Sequence, residues 1–357
     1  MRSLKILLLS ILCFTLFSAC TKEEPPFQVA KYNCKTLVDY NEVFPDSIGT
    51  PIALSVNLKN NEFYVLNRDQ RNFSRTVSVF NGEGEHVKMI KVLDIGKEAF
   101  FLNELHCGTG GEIVLVCVDS IKIFDKDGEL TRSTNIESSV LYSSLNNNNE
   151  ILMNSLKTAI ITKYSLAGEL LVEIGRIPEE ELHVKEKLVL YWGNPFEAEN
   201  GRYYLFQRFT GIVKIFNSEG ELIENSRLAI PELGGLYSAF DTDIEERMQR
   251  SGASLIFFYN VVQRNDRFYI LFSSVADDGF FKNIRDKEIF IYVLDTDLNI
   301  IRKIVLDDED FVKEIFSSEN NIANLSFMKF DVNEDEEIFI PFEPGRKILK
   351  FSPEGTQ

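Results

Sequence analysis

A short strand-and-turn unit recurs along the chain of 357 residues and restricts its fold more than any other feature of the sequence. In most copies, alternating apolar residues lead to Phe or Tyr and then to a polar turn that ends on Gly. Period-two apolarity predicts a β-strand, and Gly at the end of the turn supplies a positive φ. The copies cover residues 77–85, 121–129, 161–169, 213–221, 291–299 and 348–355.

The fifth copy departs from this pattern, because Leu298 stands where the other copies have Gly. A left-handed backbone is unfavourable for most L-residues, and Asn tolerates it better than Leu. The sequence therefore predicts that Asn299 takes the left-handed position in this turn.

The spacing of the copies indicates a closed radial fold. Most successive copies lie roughly 40–55 residues apart, a period typical of β-propellers. A second strand precedes each repeated strand, a third lies further upstream, and a fourth follows the turn. Each copy thus predicts a four-stranded antiparallel blade that must stack on its neighbours to bury both faces. We predict an all-β domain over residues 27–357, a six-bladed β-propeller.

The two ends of the chain predict how the ring closes. The sequence ends at Gln357, directly after the third strand of the sixth copy. Residues 27–38 alternate between apolar and polar and belong to no other blade. We therefore predict that this N-terminal strand supplies the missing fourth strand of the last blade.

Residues 1–19 have the pattern of a lipoprotein signal peptide. Arg2 and Lys5 precede an apolar run over residues 6–17, which is too short to span a bilayer as a helix. Two small residues then lead to Cys20, which the pattern predicts to be lipidated. The alternative is an ordinary signal peptide followed by an unrelated cysteine.

Residues 20–26 are predicted to be a lipid-anchored linker. Lys22, Glu23 and Glu24 resemble the surface-export signal of Bacteroidetes lipoproteins. This resemblance implies an outer-membrane, cell-surface location. A periplasm-facing protein with a merely solvated linker is the alternative.

Charge and composition exclude several classes of function. The chain has 38 Lys and Arg against 55 Asp and Glu, a net charge of −17, so we expect no nucleic-acid partner. Only three histidines, His86, His106 and His183, are available for metal or triad chemistry. The three cysteines beyond Cys20 are an odd number, which argues against a disulfide framework.

The turn pattern, with its Phe-Asp-x-x-Gly-Glu core, is similar to that of NHL-type β-propellers. Together with Cys20 and the Lys-Glu-Glu stretch, it makes the chain resemble the six-bladed NHL-like propeller lipoproteins of Bacteroidetes. The resemblance covers about residues 27–357. It implies a fold and a location, and names no ligand.

One face of the predicted propeller carries the candidate binding residues. The loops between second and third strands are basic and aromatic, whereas the turns on the opposite face are acidic. Arg supplies paired donors to carboxylates, and aromatic rings stack on sugars or apolar groups. The candidates are Arg71, Arg75, Tyr191, Trp192, Arg208, Phe209, Phe280, Phe281, Arg285 and Arg346. Alternatively, these loops are solvated and neutralised by acidic neighbours, and Tyr191 and Trp192 pack between blades.

These features favour a ligand- or protein-binding module on the cell surface, with a glycan, a peptide or a partner outer-membrane protein as its target. The alternative is a metal-dependent, lactonase-like hydrolase or lyase at the channel mouth. Its oxygen and imidazole candidates fall at different strand registers, and no motif joins them. They are Asn57, Asn103, Glu104, His106, Asn194, Asn260 and Asp331. We therefore expect no catalytic residue and no cofactor, with Ca²⁺ as the open alternative.

Overall fold

The computed structural model describes residues 27–44, 49–68, 75–92, 102–117, 120–136, 142–154, 159–178, 191–233, 258–273, 288–317 and 328–354. Within these ranges the chain is almost entirely β-structure, in sheets of four or eight strands. No helix in these ranges is long and apolar enough to cross a membrane.

Four separate sheets each contain four consecutive antiparallel strands. The first contains β2 (Thr50–Asn57), β3 (Glu62–Arg68), β4 (Arg75–Phe80) and β5 (His86–Val92). The second contains β6 (Leu102–Cys107), β7 (Ile113–Cys117), β8 (Ser120–Phe124) and β9 (Leu130–Asn135). The third contains β10 (Tyr142–Leu145), β11 (Ile151–Asn154), β12 (Ala159–Tyr164) and β13 (Leu170–Arg176). The fourth contains β14 (Gly193–Glu197), β15 (Tyr203–Gln207), β16 (Ile212–Phe216) and β17 (Leu222–Arg227).

The remaining strands form one mixed sheet of eight strands. Its members are β1 (Gln28–Asp39), β18 (Asn260–Arg264), β19 (Arg267–Ser273), β20 (Ile289–Leu294), β21 (Ile300–Asp307), β22 (Asp331–Val332), β23 (Ile338–Phe342) and β24 (Lys347–Pro353). They lie in the order β18-β19-β20-β21-β1-β24-β23-β22. Helix α1 (Tyr40–Val43) follows β1, and helix α2 (Glu309–Ser317) follows β21.

Strand β1 joins the two halves of this sheet. Its first half runs parallel to β21, from the Gln28–Arg302 pair to the Asn33–Asp307 pair. From Tyr32 onward it runs antiparallel to β24, with a register shift between Thr36 and Val38. Its twelve residues are long enough to pair on both sides. The sequence analysis placed this strand beside the last one but did not anticipate the parallel pairing with β21.

The pattern of burial within each sheet matches a stack of sheets around an axis. The second strands are fully or almost fully buried, as in β7 and β15, whereas the fourth strands β9 and β17 are largely exposed. Strands covered on both faces carry continuous rather than alternating apolar residues. Apolar clusters fill the space between neighbouring sheets, as where Tyr64 and Leu66 pack with Leu105 and Leu115. Each fully buried side chain of this kind contributes about 1.5–3 kcal/mol.

The first strands of the successive sheets form a closed circuit. Contacts join β2 to β6, β6 to β10, β10 to β14, β14 to β18, β18 to β22 and β22 back to β2. Because every first strand has two such neighbours, the inner edges of the sheets surround a common axis. The space along this axis is a cavity lined by all of these strands.

Four of the six repeated turns have the predicted positive φ at their glycine, namely Gly84, Gly128, Gly168 and Gly220, while Gly355 of the sixth lies outside the described residues. In the first copy, Gly84 has a φ of 85°, and the Asn81 side chain accepts hydrogen bonds from the amides of Glu83 and Glu85. A side chain on Gly84 would lie 2.6 Å from the Leu37 carbonyl oxygen, so glycine is required for space as well as for conformation.

The prediction for the fifth turn was wrong. Leu298, not Asn299, has the positive φ, at 63°. The Leu298 side chain is buried in the cluster that contains Phe268 and Tyr292. Burying a leucine contributes about 1.5–3 kcal/mol, which offsets the left-handed backbone cost of about 1–2 kcal/mol.

Cys34, Cys107 and Cys117 form no disulfide bond with one another. Burial raises the pKa of Cys34 and of Cys107 to about 12. Both thiols are therefore protonated at neutral pH and are poor nucleophiles.

Tyr32 of β1 provides a test of the junction between the first and last strands. Its ring is fully buried among residues of β20, β21, β23 and β24, whereas its hydroxyl has no hydrogen-bond partner. We expect Tyr32→Ala to lower the free energy of unfolding by about 3–5 kcal/mol, the usual cost of emptying an aromatic site. Tyr32→Phe keeps the ring, so chemical denaturation should show a stability equal to or above that of the wild type. Equal stability of all three proteins would contradict a supporting role for β1.

Candidate functional site: the central cavity

The axial cavity has a volume of about 130 Å³. Its wall comes from β2, β6, β10, β14, β18 and the segment around β22, so that residues far apart in sequence face one space. Its lining is rich in amide, hydroxyl and charged groups. The sequence analysis left its oxygen and imidazole candidates unconnected, but Asn57, Glu104, His106, Asn194, Asn260 and Asp331 all line this cavity.

Two ion pairs occupy the wall. The Lys329 ammonium lies 2.5 Å from Oε1 of Glu104. The Arg264 guanidinium reaches the two carboxylate oxygens of Asp331 at 2.6 and 2.5 Å. Asp331 also accepts the amides of Val56 and Val332, each at 2.8 Å. Both carboxylates are therefore held by cations of the protein, and Asp331 has a nearly complete set of donors.

Burial raises the pKa of Glu104, while the nearby charges of Lys329 and Arg208 oppose this shift. The carboxylate can remain charged in the wall because Lys329 supplies both an opposite charge and a hydrogen bond. Removing Lys329 alone would leave a buried acid without its partner.

His106 is a weak base in this environment. Its Nε2 lies 2.8 Å from the Ser143 hydroxyl oxygen. Burial lowers its pKa to about 3, and the positive charges of Lys329 and Arg264 add to the effect. General bases work best when their pKa lies near the working pH, so His106 is poorly suited to proton abstraction at neutral pH.

Asn194 and Asn260 provide amides on neighbouring first strands. The Asn194 side-chain nitrogen donates to Oδ1 of Asn260 at 3.4 Å, which is long for a hydrogen bond. The Asn194 side-chain oxygen is buried and has no hydrogen-bond partner. The cavity wall thus contains an acceptor that the protein does not satisfy.

Arg208 and Tyr142 lie beside the ion pair of Glu104 and Lys329. Arg208 donates to the Tyr142 hydroxyl at 2.5 Å and to the Phe258 carbonyl at 3.3 Å. The Tyr142 ring also lies 5.3 Å from the Arg208 guanidinium carbon and 5.8 Å from the Lys329 ammonium. These contacts hold two cations around one aromatic ring.

The structure brings part of the predicted binding face together beside Arg208. The rings of Trp192 and Phe209 meet edge to face with centroids 5.6 Å apart, and the amide of Arg208 donates to the Trp192 carbonyl. The indole nitrogen of Trp192 is buried without a partner. Tyr191 packs against the core between two sheets, and Lys214 lies over its ring.

The other predicted binding residues are not gathered at this place. Arg75 begins β4 and is buried, where burial and the charge of Arg68 lower its pKa. Arg346 is half-buried and donates to the Asn41 side chain. Arg71, Phe280, Phe281 and Arg285 lie outside the described residues, as do Cys20, Lys22, Glu23 and Glu24.

Tyr142, Ser143, Arg264 and Lys329 are site residues that the sequence analysis missed. Each lies at an end of a first strand or one or two residues from it. Their position near a strand end is visible in the sequence, but no local motif distinguishes these residues from other polar residues at strand ends. Among the described residues, no group of three or more His, Cys, Asp and Glu side chains is placed to hold a metal ion.

The depressed pKa of His106 predicts a pH-dependent stability. Between pH 6.5 and 3 the unfolded chain binds a proton at this residue that the folded protein does not, so the stability falls as the pH falls. Lowering the pH from 7 to 5 should cost the wild type up to about 2 kcal/mol more than His106→Gln, a variant that keeps a polar group beside Ser143. Denaturant titrations at both pH values measure this difference. Identical losses in the two proteins would show that His106 titrates normally.

Comparisons with known proteins identify the fold. No protein-family model matches the chain, and no curated protein matches it in sequence. Virginiamycin B lyase from Staphylococcus aureus aligns with a TM-score of 0.51 at 10% identity, covering 90% of this chain and 99% of the lyase. A streptogramin B lyase structure aligns at 0.50 and 12% identity, covering 90% and 98%. A DUF4221 family member from Bacteroides vulgatus aligns at 0.50 and 10% identity, covering 91% and 97%. At these identities the likeness extends to the fold alone, which is that of a β-propeller.

Proposed function

We propose that the chain is a six-bladed, NHL-like β-propeller lipoprotein of the outer membrane, displayed at the cell surface, which acts as a ligand- or protein-binding module. The observation that carries this proposal is the polar axial cavity, whose wall contains two ion pairs, Lys329 with Glu104 and Arg264 with Asp331. A rigid wall with a few fixed polar groups is the usual design of a binding site.

The count of six blades rests on two observations. The closed circuit of first strands has β2, β6, β10, β14, β18 and β22 as members. The antiparallel pairing of β1 with β24 gives the last group a fourth strand. In this proposal the eight-stranded sheet is two blades joined by the parallel contact of β1 with β21. The ring is then closed by hydrogen bonds between the two ends of the chain.

The location rests on the N-terminal sequence. The apolar run before Cys20 and the Lys22-Glu23-Glu24 stretch support lipidation and export to the cell surface. The described fold begins at Phe27, so the proposed linker, residues 20–26, would connect the lipid directly to β1. At most about 3.5 Å per residue is available to an extended chain, which would keep the propeller close to the membrane.

The ion pairing of the two carboxylates in the cavity wall favours binding over metal-dependent hydrolysis or elimination. Glu104 is paired with Lys329, and Asp331 is paired with Arg264, so neither carboxylate is available as a metal ligand without losing its partner. Of the named neighbours, two are lyases, but the likeness to them is one of fold. Targets of the proposed module are a glycan, a peptide or a partner outer-membrane protein. Arg71, Phe280, Phe281 and Arg285 are further binding residues proposed from the sequence alone.

Lipidation is tested by metabolic labelling with an alkyne-bearing fatty acid in a Bacteroidetes host. The wild type should be labelled and sediment with membranes, and Cys20→Ser should be neither labelled nor sedimented. Cys34→Ser is the matched control, because Cys34 is a free thiol within β1, and it should behave as the wild type. Labelling of Cys20→Ser would refute the anchor.

Surface export is tested by adding proteinase K to intact cells. The wild type should be cleaved, whereas a variant with Lys22→Ala, Glu23→Ala and Glu24→Ala should keep its lipid and be protected. Equal cleavage of the two proteins would show that this stretch does not direct export.

The binding proposal also predicts the metal content of the purified protein. Elemental analysis should find no divalent ion at one equivalent per chain, and a chelator should leave the melting temperature unchanged. One equivalent of Ca²⁺ or Zn²⁺ that the chelator removes with a loss of stability would favour the enzyme instead.

A further inference from the structure

We propose that the axial cavity is entered from the face that carries the acidic turns, and that it takes a cationic ligand such as an alkylammonium group. This inference rests on the proposed binding function and names the chemical class of its ligand. It follows from the position of the exposed residues in the cavity wall and from the distribution of charge around them.

The exposed residues of the cavity wall mark its entrance. Among the described residues that line the cavity, only Lys59, Thr109 and Asn147 are exposed. Each of them lies in a turn that joins the first strand of a sheet to the second. Turns of this kind meet between neighbouring sheets, as where the Asn149 side chain accepts the Thr109 amide at 3.0 Å. The entrance therefore lies at the end of the cavity that these turns surround.

An ion pair lies across the cavity towards its other end. Lys329 precedes β22, and its partner Glu104 lies near the start of β6. Because β2 lies between these two strands in the circuit, the pair must pass on the axial side of β2. Trp192 precedes β14 and Arg208 follows β15, at this same end of their sheet. In this proposal the basic, aromatic face predicted from the sequence is therefore not the face on which the cavity opens.

The face around the entrance is strongly acidic. In an antiparallel sheet of four strands, the turn between the first two strands and the turn between the last two lie at the same end. Eleven described turns of these two kinds cover residues 58–61, 81–85, 108–112, 125–129, 146–150, 165–169, 198–202, 217–221, 265–266, 295–299 and 333–337. Together they contain 18 Asp and Glu against three Lys and Arg, a net charge of −15 in a chain of net charge −17.

This distribution of charge selects a cation. A surface of one sign raises the local concentration of ligands of the opposite sign and repels ligands of its own sign. Inside the cavity, the ion pairs of Lys329 with Glu104 and of Arg264 with Asp331 each carry no net charge. Lys59 is the one cation among the exposed residues of the described wall, and the acids of the surrounding turns outnumber it. An approaching anion is therefore repelled, whereas a cation is attracted.

The cavity wall also contains an acceptor for the N–H groups of such a ligand. Asn194 is 3% exposed, and its side-chain oxygen has no hydrogen-bond partner. Buried side-chain atoms without a partner occur elsewhere, as at Tyr32 and Asn67, but among the described residues that have one only Asn194 lines the cavity. An ammonium group carries hydrogen-bond donors and no acceptor, so it matches this oxygen.

Cys107 is a native probe of the charge at the entrance. It ends β6, lines the cavity and directly precedes the turn that contains Thr109. Its pKa of about 12 makes it react slowly, and the negative charges of Glu112 and Glu62 add to the effect of burial on this pKa. Methanethiosulfonate reagents form a disulfide with a thiolate and release methanesulfinate. Two such reagents, with a trimethylammonium or a sulfonate group on the same ethyl chain, differ in the sign of their charge.

The test labels the full chain, purified in a neutral detergent, with each reagent at pH 9. Ser133→Cys adds a reference thiol on the exposed strand β9, and peptide mass spectrometry gives the rate at each site. Relative to the reference thiol, we expect the cationic reagent to label Cys107 about tenfold faster than the anionic reagent. Salt at 1 M should reduce this preference, because the screening length falls to about 3 Å.

Three results would overturn the inference. An equal relative rate for the two reagents, or a faster rate for the anionic reagent, would refute the cationic ligand. Labelling of the reference thiol by both reagents without any labelling of Cys107 would refute the entrance.

Asn147→Trp tests the entrance directly. Asn147 is exposed and lines the cavity, whereas Asn148 is exposed in the same turn and does not line it. A bulky ring at position 147 should therefore largely abolish labelling of Cys107 by both reagents, and Asn148→Trp should leave the rates at those of the wild type. Equal rates in the two variants would place the entrance elsewhere.

These outcomes separate the ligand class from the wider function. Labelling that does not favour the cation refutes the cationic ligand, whereas the binding module is refuted separately, by one equivalent of a divalent ion needed for stability. The comparison of reagents at Cys107 needs no change in the cavity wall, so it decides the matter even where a tryptophan variant does not fold.

Discussion

The pairing of β1 with β24 on one side and β21 on the other is the contact on which the rest of the structure depends. A four-stranded sheet with apolar residues on both faces is stable only when another sheet covers each face. Strand β1 carries Tyr32 into the cluster shared by the last two groups of strands, so the two ends of the chain are bound into one core. Strand β1 thereby links the two halves of the eight-stranded sheet, which contribute β18 and β22 to the circuit of first strands.

The cavity is polar because of where the first strands lie. Their inner edges face the axis, where no further sheet can supply hydrogen-bond partners. The buried polar groups there must therefore form hydrogen bonds and ion pairs with one another. Arg264 with Asp331 and Lys329 with Glu104 do this across neighbouring or nearby strands. Such pairs fix the wall rigidly and hold the charges in place before any ligand arrives, which reduces the reorganisation that binding requires.

The sequence predicts the local parts of this molecule well, because strand alternation and turn chemistry act over a few residues. The glycines of the repeated turns and the strands around them are examples. Leu298 shows the limit of local reasoning, since burial by distant residues outweighs its backbone preference. The cavity shows the same limit: Ser143, Arg264 and Lys329 are more than sixty positions apart from one another, and only the topology brings them to one axis. No spacing rule could have selected them.

Two departures from the usual rules differ in how the protein offsets them. The strained backbone of Leu298 is offset within the protein by the burial of its side chain. The unsatisfied oxygen of Asn194 has no such compensation, although a neighbouring amide lies 3.4 Å from the nitrogen of the same side chain. Buried side-chain atoms without a partner occur away from the cavity as well, at Tyr32 and Asn67. What distinguishes Asn194 is its place in the cavity wall, where a ligand of the proposed binding module would meet its oxygen.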